Sequence, residues 1–220
     1  MYTKQLKIGI LGSGTVAQVL AKGFITEGHP VMMGTRIPVK KDVVDWQKTL
    51  PTVQVGSFSE AAQYADIIIL AAKGAAILDV LKLAGPEQFT GKVVIDVTNP
   101  ISADPPINGV LKFFTRSDES LMEQIQAVIP GAYVVKAFNS IGSAFMYKPA
   151  FGSEKPTMFI CGDNEEAKKT VTGILYVFGW EAEDMGSSVS ARPIEQLCIL
   201  WCLPGFLSNQ WTHAFKLLKR

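Results

Sequence analysis

Short apolar runs alternate along this chain with longer segments whose apolar residues recur every three or four positions. Residues 6–11, 31–34, 53–56, 66–71, 93–96 and 133–136 are the runs, and the fourth is wholly apolar after its first residue. Runs without an apolar–polar alternation predict strands covered on both faces, as in parallel sheets. Between them, residues 15–27, 40–50, 57–64, 75–83 and 121–129 carry helical spacing; in the first, Val16, Val19, Leu20 and Phe24 share one face. Pro51 stops the second, Ser57 or Ser59 caps the third, and Gly85-Pro86 ends the fourth. Two further strands are predicted at 157–161 and 181–184, around a helix over 164–178 whose Glu165 and Glu166 suit a helix N-terminus.

Strand and helix in strict alternation predict an α/β fold: a Rossmann-type, doubly wound, mainly parallel sheet of order 3-2-1-4-5. The whole chain, 1–220, reads as a single domain. Residues 1–150 form its dinucleotide-binding core, and 151–220 form a smaller strand–helix extension. Two stretches depart from the alternation. Residues 99–116, with Asp104-Pro105-Pro106, Asn108-Gly109 and Phe113-Phe114, predict a long irregular excursion of the kind that walls a pocket. Residues 191–219 predict one long helix broken at Pro204-Gly205. Its many apolar residues fit core packing or a homodimer face. A membrane span needs about 20 mostly apolar residues, and Pro204, Gly205, Asn209 and Gln210 interrupt this segment.

Composition narrows the partners. The 220 residues are 48% apolar, enough for a sizeable core, and carry a net charge of +1 with acids and bases mixed. With no basic stripe, nucleic acid is excluded as an expected partner. A polar start over 1–7 and a short, glycine-broken apolar run predict no secretory leader. Cys161, Cys198 and Cys202 lack metal-ligand spacing, so they predict free thiols in a cytoplasmic protein with no metal site.

The candidate chemistry starts at the first strand. Gly12, Ser13, Gly14, Thr15, Val16 and Ala17 give G-x-G-x-x-A between a strand and a helix, the context a dinucleotide turn needs. Gly12 permits the tight turn, Gly14 lets the backbone approach a pyrophosphate, and Ala17 keeps helix and sheet close. The helix N-terminus offers free N–H groups to the phosphates. About 20 residues on, an NAD site places a carboxylate on the ribose 2′-OH. This chain has Thr35 and Arg36 there, followed by Lys40 and Lys41. A hydroxyl and a guanidinium suit a 2′-phosphate, so NADP(H) is the expected cofactor.

Acid–base residues are scarce. His29 sits in a turn and His213 near the C-terminus, and no Y-x-x-x-K helix is present. A carbonyl reductase needs a proton donor beside the hydride acceptor, whereas a flavin handles protons through its own ring. The expected reaction is therefore hydride transfer between NADPH and a flavin or deazaflavin, with no catalytic side chain assigned. A reductase of small imines or carbonyls is the alternative, with Tyr133, Tyr147 and Lys136 as its proton-donor candidates. A non-catalytic NADPH sensor or subunit is another.

The ordered series I-L-G-S-G-T-V-A, G-T-R, D-I-I-I-L-A, V-V-K-A-F-N-S-I, I-C-G-D-N-E-E-A-K-K and M-G-S-S-V-S-A-R-x-I-E resembles the NADP oxidoreductases that use the deazaflavin coenzyme F420. It is similar also to the oxidoreductase domain of the six-transmembrane metalloreductases. The resemblance implies that Ser13, Gly14, Thr15 and Val16 hold the pyrophosphate, and Thr35, Arg36 and Lys40 the 2′-phosphate. It implies that Ala71, Ala72 and Lys73 border the ribose, and that Asn99, Pro100, Ala137, Phe138 and Asn139 flank the nicotinamide. Phe113, Phe114 and Phe138 are candidates to pack on an acceptor ring. The chain departs from the deazaflavin pattern at Ala72 and Lys73, where a Pro and an aromatic are usual. It departs again at Asn139, where a His is usual and A-F-N is closer to the metalloreductases.

Overall fold

The computed structural model describes residues 5–220. Six strands form one parallel sheet: β1 (Ile8–Leu11), β2 (Val31–Gly34), β3 (Gln54–Gly56), β4 (Ile67–Leu70), β5 (Val93–Asp96) and β6 (Tyr133–Lys136). Their order is β3-β2-β1-β4-β5-β6, so the predicted order holds and β6 extends it. β1 and β4 are buried at every position, as runs apolar on both faces require. The crossovers are α1 (Thr15–Thr26), α2 (Lys41–Thr49), α3 (Phe58–Tyr64), α4 (Gly74–Ala84) and α5 (Leu121–Val128). Capping boxes start α3 (Ser57 with Glu60) and α5 (Ser120 with Glu123). α3 rests directly on the sheet, because side chains at Gly9 and Gly34 would collide with Ala61.

The extension contains β7 (Thr157–Ile160), α6 (Glu165–Val177), β8 (Glu181–Asp184) and α7 (Ala191–Ser208). β7 and β8 form a separate parallel pair, joined to the main sheet by one antiparallel bridge, Lys136 to Cys161. Met158, Ile160, Val171 and Leu175 pack in the same core cluster as Ile8, Phe24 and Val135, so one apolar layer runs from the sheet into the extension.

Two expectations are corrected. First, Pro204-Gly205 does not break the last helix. Pro204 lies inside α7, which continues to Ser208 and ends where Asn209 turns left-handed at φ 53°. Proline removes a single N–H from the ladder, while Gly205 leaves room for the Trp211 ring against the helix. Residues beyond Asn209 are not helical and run back along β7. Thr157 N–H donates to Phe215 O (2.9 Å), and Leu217 N–H donates to Thr157 Oγ1 (3.1 Å). Second, the excursion over 99–116 is more ordered than its composition suggests. Antiparallel bridges pair Ile101 with Phe113 and Ile107 with Val110, around a turn with Asn108 and Gly109 both at positive φ. That is the Asn-Gly chemistry of a tight hairpin. Among the described residues no helix is long and apolar enough to cross a membrane.

Candidate functional site

The site lies where the strand order reverses. From β1 the chain continues to β2 on one side, and β4 pairs with β1 on the other. Open α/β sheets leave a crevice at the carboxyl ends of such strands. Gly12 makes it possible: its φ is +141°, and a side chain there would strike the Ala71 carbonyl at the end of β4. Its N–H donates to Gly34 O (2.9 Å), tying the ends of β1 and β2. Gly14 is the N-cap of α1, exposed and in extended backbone, with no capping side chain and no acidic residue in the first turn. A Cβ on Gly14 would meet nothing of the protein within 4 Å. The helix N-terminus is thus an uncapped, cationic end facing open space, and the missing Cβ keeps that space free for a phosphate.

From Gly14 a cleft of about 560 Å3 runs past Thr15 and Val16 to Ala71–Ala75, Val97–Asn99 and Ile101–Ala103. Lys73, the N-cap of α4, is the one titratable residue of this lining among the described residues. The start of α4 stands directly against Asn99, whose carbonyl a side chain on Gly74 would strike.

The adenosine side is built on β2. Thr35 is buried and anchored through its N–H to Gly56 O (3.0 Å), and its hydroxyl lies 3.3 Å from Ser13 Oγ. These two hydroxyls join the glycine turn to the β2 end. Arg36 is exposed and forms no ion pair among the described residues. Lys40 is already paired with Asp42 (2.7 Å) and Lys41 with Asp45 (2.6 Å), so among the described residues Arg36 is the free cation of this corner.

At the other end, Asn99 Nδ2 donates to Asn139 O (2.8 Å). Asn139 Nδ2 donates to Ile194 O (2.8 Å) and, longer, to Asn99 Oδ1 (3.3 Å). Pro100, Ala137 and Phe138 are buried and absent from the cleft lining. Phe138 takes a left-handed φ of 61°, gives its N–H to Met158 Sδ (3.1 Å) and packs against Phe178. Its ring belongs to the core, whereas Phe114 is exposed in a second cleft that shares Gly74, Ala75, Ser102 and Ala103 with the first.

The three proton-donor candidates lie elsewhere. Tyr133 opens β6 at the opposite end of the sheet, and Tyr147 donates to Glu27 (2.7 Å). Lys136 is fully buried between Asp96 (2.7 Å) and Glu195 (2.7 Å). Burial pulls the Lys136 pKa down, and the two carboxylates outweigh it, leaving the ammonium above the ordinary lysine value. Neither histidine lines the cleft. His29 accepts the Leu6 N–H (3.1 Å), and burial lowers its pKa. His213 stacks on Trp201. Burial pushes the Cys161 thiol to about 12, as for a packing thiol.

Sequence reasoning missed Asp96, Thr98, Glu195 and the Arg192–Glu123 pair. A signal existed for the first: Asp96 and Lys136 end two adjacent apolar strands and are paired in register.

Residues 7–100 match the family described as NADP oxidoreductase, coenzyme F420-dependent. Over that stretch the chain is similar to the F420-dependent NADP oxidoreductases. The likeness extends beyond it. A crystal structure from Arthrobacter sp. FB24, provisionally assigned as an F420-dependent NADP reductase, superposes with a TM-score of 0.91 at 29% identity, covering 97% of this chain and all of that one. The F420-dependent NADP reductase of Methanocaldococcus jannaschii is 28% identical over 142 residues, 63% of this chain and 61% of that protein. Metalloreductase STEAP3 of Rattus norvegicus is 32% identical over 208 residues, which cover 92% of this chain. The chain spans only 39% of that metalloreductase's length. This likeness agrees with the glycine turn, which falls within the matched residues, and with the switch-point cleft, all of whose lining except Ile101–Ala103 does so too.

Proposed function

We propose that this protein is an NADP(H)-dependent oxidoreductase that passes hydride between NADPH and a flavin or deazaflavin acceptor. One observation carries the reading: the cleft opens from a phosphate-ready glycine turn, and among the described residues its lining contains no His, Tyr, Asp or Glu. Outside the cleft, Thr35 meets Ser13 of that turn and the adjacent Arg36 forms no ion pair among the described residues. The dinucleotide fits the residues present. Ser13, Gly14, Thr15 and Val16 take the pyrophosphate; Thr35 and Arg36, with Lys40 behind them, take the 2′-phosphate. Ala71, Ala72 and Lys73 border the ribose, and Asn99, with Asn139 behind it, borders the nicotinamide. Bound NADPH supplies the hydride. The protein positions it, excludes water and contributes little proton chemistry, which suits an acceptor ring that handles its own protons. The acceptor is assigned to the adjoining cleft, where Phe114 offers an aromatic wall. A cytoplasmic location and a homodimer belong to the same reading. For the dimer, exposed Phe206 and Leu207 stand beside Gly109 in the 107–110 hairpin, and Leu200 is exposed on the same helix.

The test is oxidation of NADPH and NADH at 340 nm with riboflavin phosphate, riboflavin, FAD and deazaflavin in parallel. Fast turnover of NADPH with one acceptor and little with NADH is the expected result. Tight NADPH binding without oxidation by any of them would replace the proposed acceptor with a different substrate or with a sensor role. A second prediction tests the cradle. Gly14→Ala is expected to leave the melting temperature unchanged, because the backbone there is ordinary and the space empty. NADPH binding should weaken roughly tenfold, about 1.4 kcal/mol, as the methyl holds phosphate off the helix N-terminus. Unchanged affinity in calorimetry would place the pyrophosphate elsewhere.

A further inference from the structure

The A-R-x-I-E stretch, Ala191 to Glu195, lies outside the cleft lining, yet it opens α7 with three buried or half-buried attachments to the dinucleotide half. Arg192 forks onto Glu123, with Nε at 3.0 Å and Nη2 at 2.7 Å. The Ile194 carbonyl accepts from Asn139 Nδ2. Glu195, 1% exposed, enters the N-terminus of α5. Its Oε2 accepts Leu121 N–H (3.0 Å), and its Oε1 accepts Met122 N–H (3.1 Å) and Lys136 Nζ (2.7 Å).

From Lys136 the connections continue towards the cleft. Its ammonium also holds Asp96 Oδ2 (2.7 Å) and the Thr98 carbonyl (2.8 Å). Asp96 Oδ1 in turn accepts both the N–H (2.9 Å) and the hydroxyl (2.7 Å) of Thr98. Asn99 follows, bonded to Asn139, which returns to Ile194. The links form a closed ring around the carboxyl ends of β5 and β6, and Thr98 and Asn99 are the members that line the cleft. The charges also balance. Two carboxylates face one ammonium, and the positive end of α5 offsets the remaining charge at Glu195. Buried ion pairs of this kind are weak evidence for stability but can specify one arrangement over its alternatives.

We propose that Glu195, Lys136 and Asn139 are positioning residues, through which the C-terminal helix sets Thr98 and Asn99 in the wall of the cleft. The proposal rests on the NADP(H) reading for one point only, which half of the nucleotide meets that wall. β5 is three strand spacings from β2, about 14 Å, so the wall faces the nicotinamide half while Arg36 holds the adenosine end. A ligand that lacks the nicotinamide half should not feel the ring.

The experiment uses the full chain with Glu195→Gln and, as a milder second variant, Asn139→Ser. Binding of NADP+ and of 2′,5′-ADP is measured by calorimetry, and amide hydrogen exchange is followed without ligand. Both variants are expected to bind 2′,5′-ADP within twofold of the parent and NADP+ several-fold more weakly, with faster exchange over residues 97–103 and unchanged exchange over 8–26. Unchanged exchange at 97–103, or equal weakening of the two ligands, would overturn the positioning role. Faster exchange at 97–103 in a protein whose parent binds neither ligand would uphold the ring as organiser of the wall and remove the NADP(H) reading instead.

Discussion

Replacing Arg36 by alanine is expected to weaken NADPH binding by about 10- to 100-fold, the worth of a charge-assisted contact of about 1.5–3 kcal/mol. NADH binding should change by less than about twofold, since a 2′-hydroxyl gains little from a guanidinium. The site makes this separation possible. Arg36 is exposed and engages no carboxylate among the described residues, so removing it breaks none of their ion pairs and should cost no stability. Its backbone neighbour Thr35 stays anchored to Gly56. Lys40 cannot readily substitute, because Asp42 already answers its charge. Calorimetric titration with both nucleotides checks the expectation. Equal weakening of NADPH and NADH would mean that Arg36 stacks on the adenine rather than holding the phosphate.

The largest stability effect is expected at Lys136. Lys136→Met keeps the length of the side chain and removes its charge, leaving Asp96 and Glu195 buried without their common cation. Breaking a buried pair in this way costs about 3–5 kcal/mol, read from urea unfolding at neutral pH. The pH dependence of the parent follows from the sign of the lysine shift. Its pKa in the fold is raised above the ordinary 10.5. The stabilisation from Lys136 is therefore fully present below about 10.5 and is lost only as the pH rises through the higher folded value. Lys136 should contribute no change in stability between pH 6 and 9. A loss below about 1 kcal/mol in the methionine variant would show that water reaches the two carboxylates, and that the triad is less enclosed than its zero exposure implies.

Much of the dinucleotide half was legible because its signals are local. A buried parallel strand announces itself as an apolar run, and the glycine turn must follow β1 within a few residues, so Gly12 and Gly14 are found by position alone. Thr35 and Arg36 are found the same way, at the end of the next strand. The excursion over 99–116 was legible only as irregular. Asn108-Gly109 marks a hairpin, but the strands beside it are one residue-pair bridges with no alternation to read. The end of α7 was misread because Pro204 and Gly205 break helices by propensity, and only tertiary packing shows Trp211 seated on Gly205. The buried triad was hidden for a related reason. Glu195 is 59 residues beyond Lys136, and nothing in its own segment shows that it enters the start of α5. Lys136 was read as a chemical group when its surroundings make it a structural one.

The return of the chain after Asn209 has a consequence for self-association. β7 and β8 make a sheet of only two strands, and a short sheet exposes much of its hydrogen-bonding edge relative to its size. The returning segment occupies the Thr157 N–H and hydroxyl, and Lys216 and Lys219 meet Glu181 and Glu183 on β8. The first backbone N–H of β7 is thus taken by Phe215, and lysines, poor partners for strand addition, flank the pair on its β8 side. Residues 210–217 therefore leave less of the β7 edge open to strand addition than a two-stranded sheet alone would.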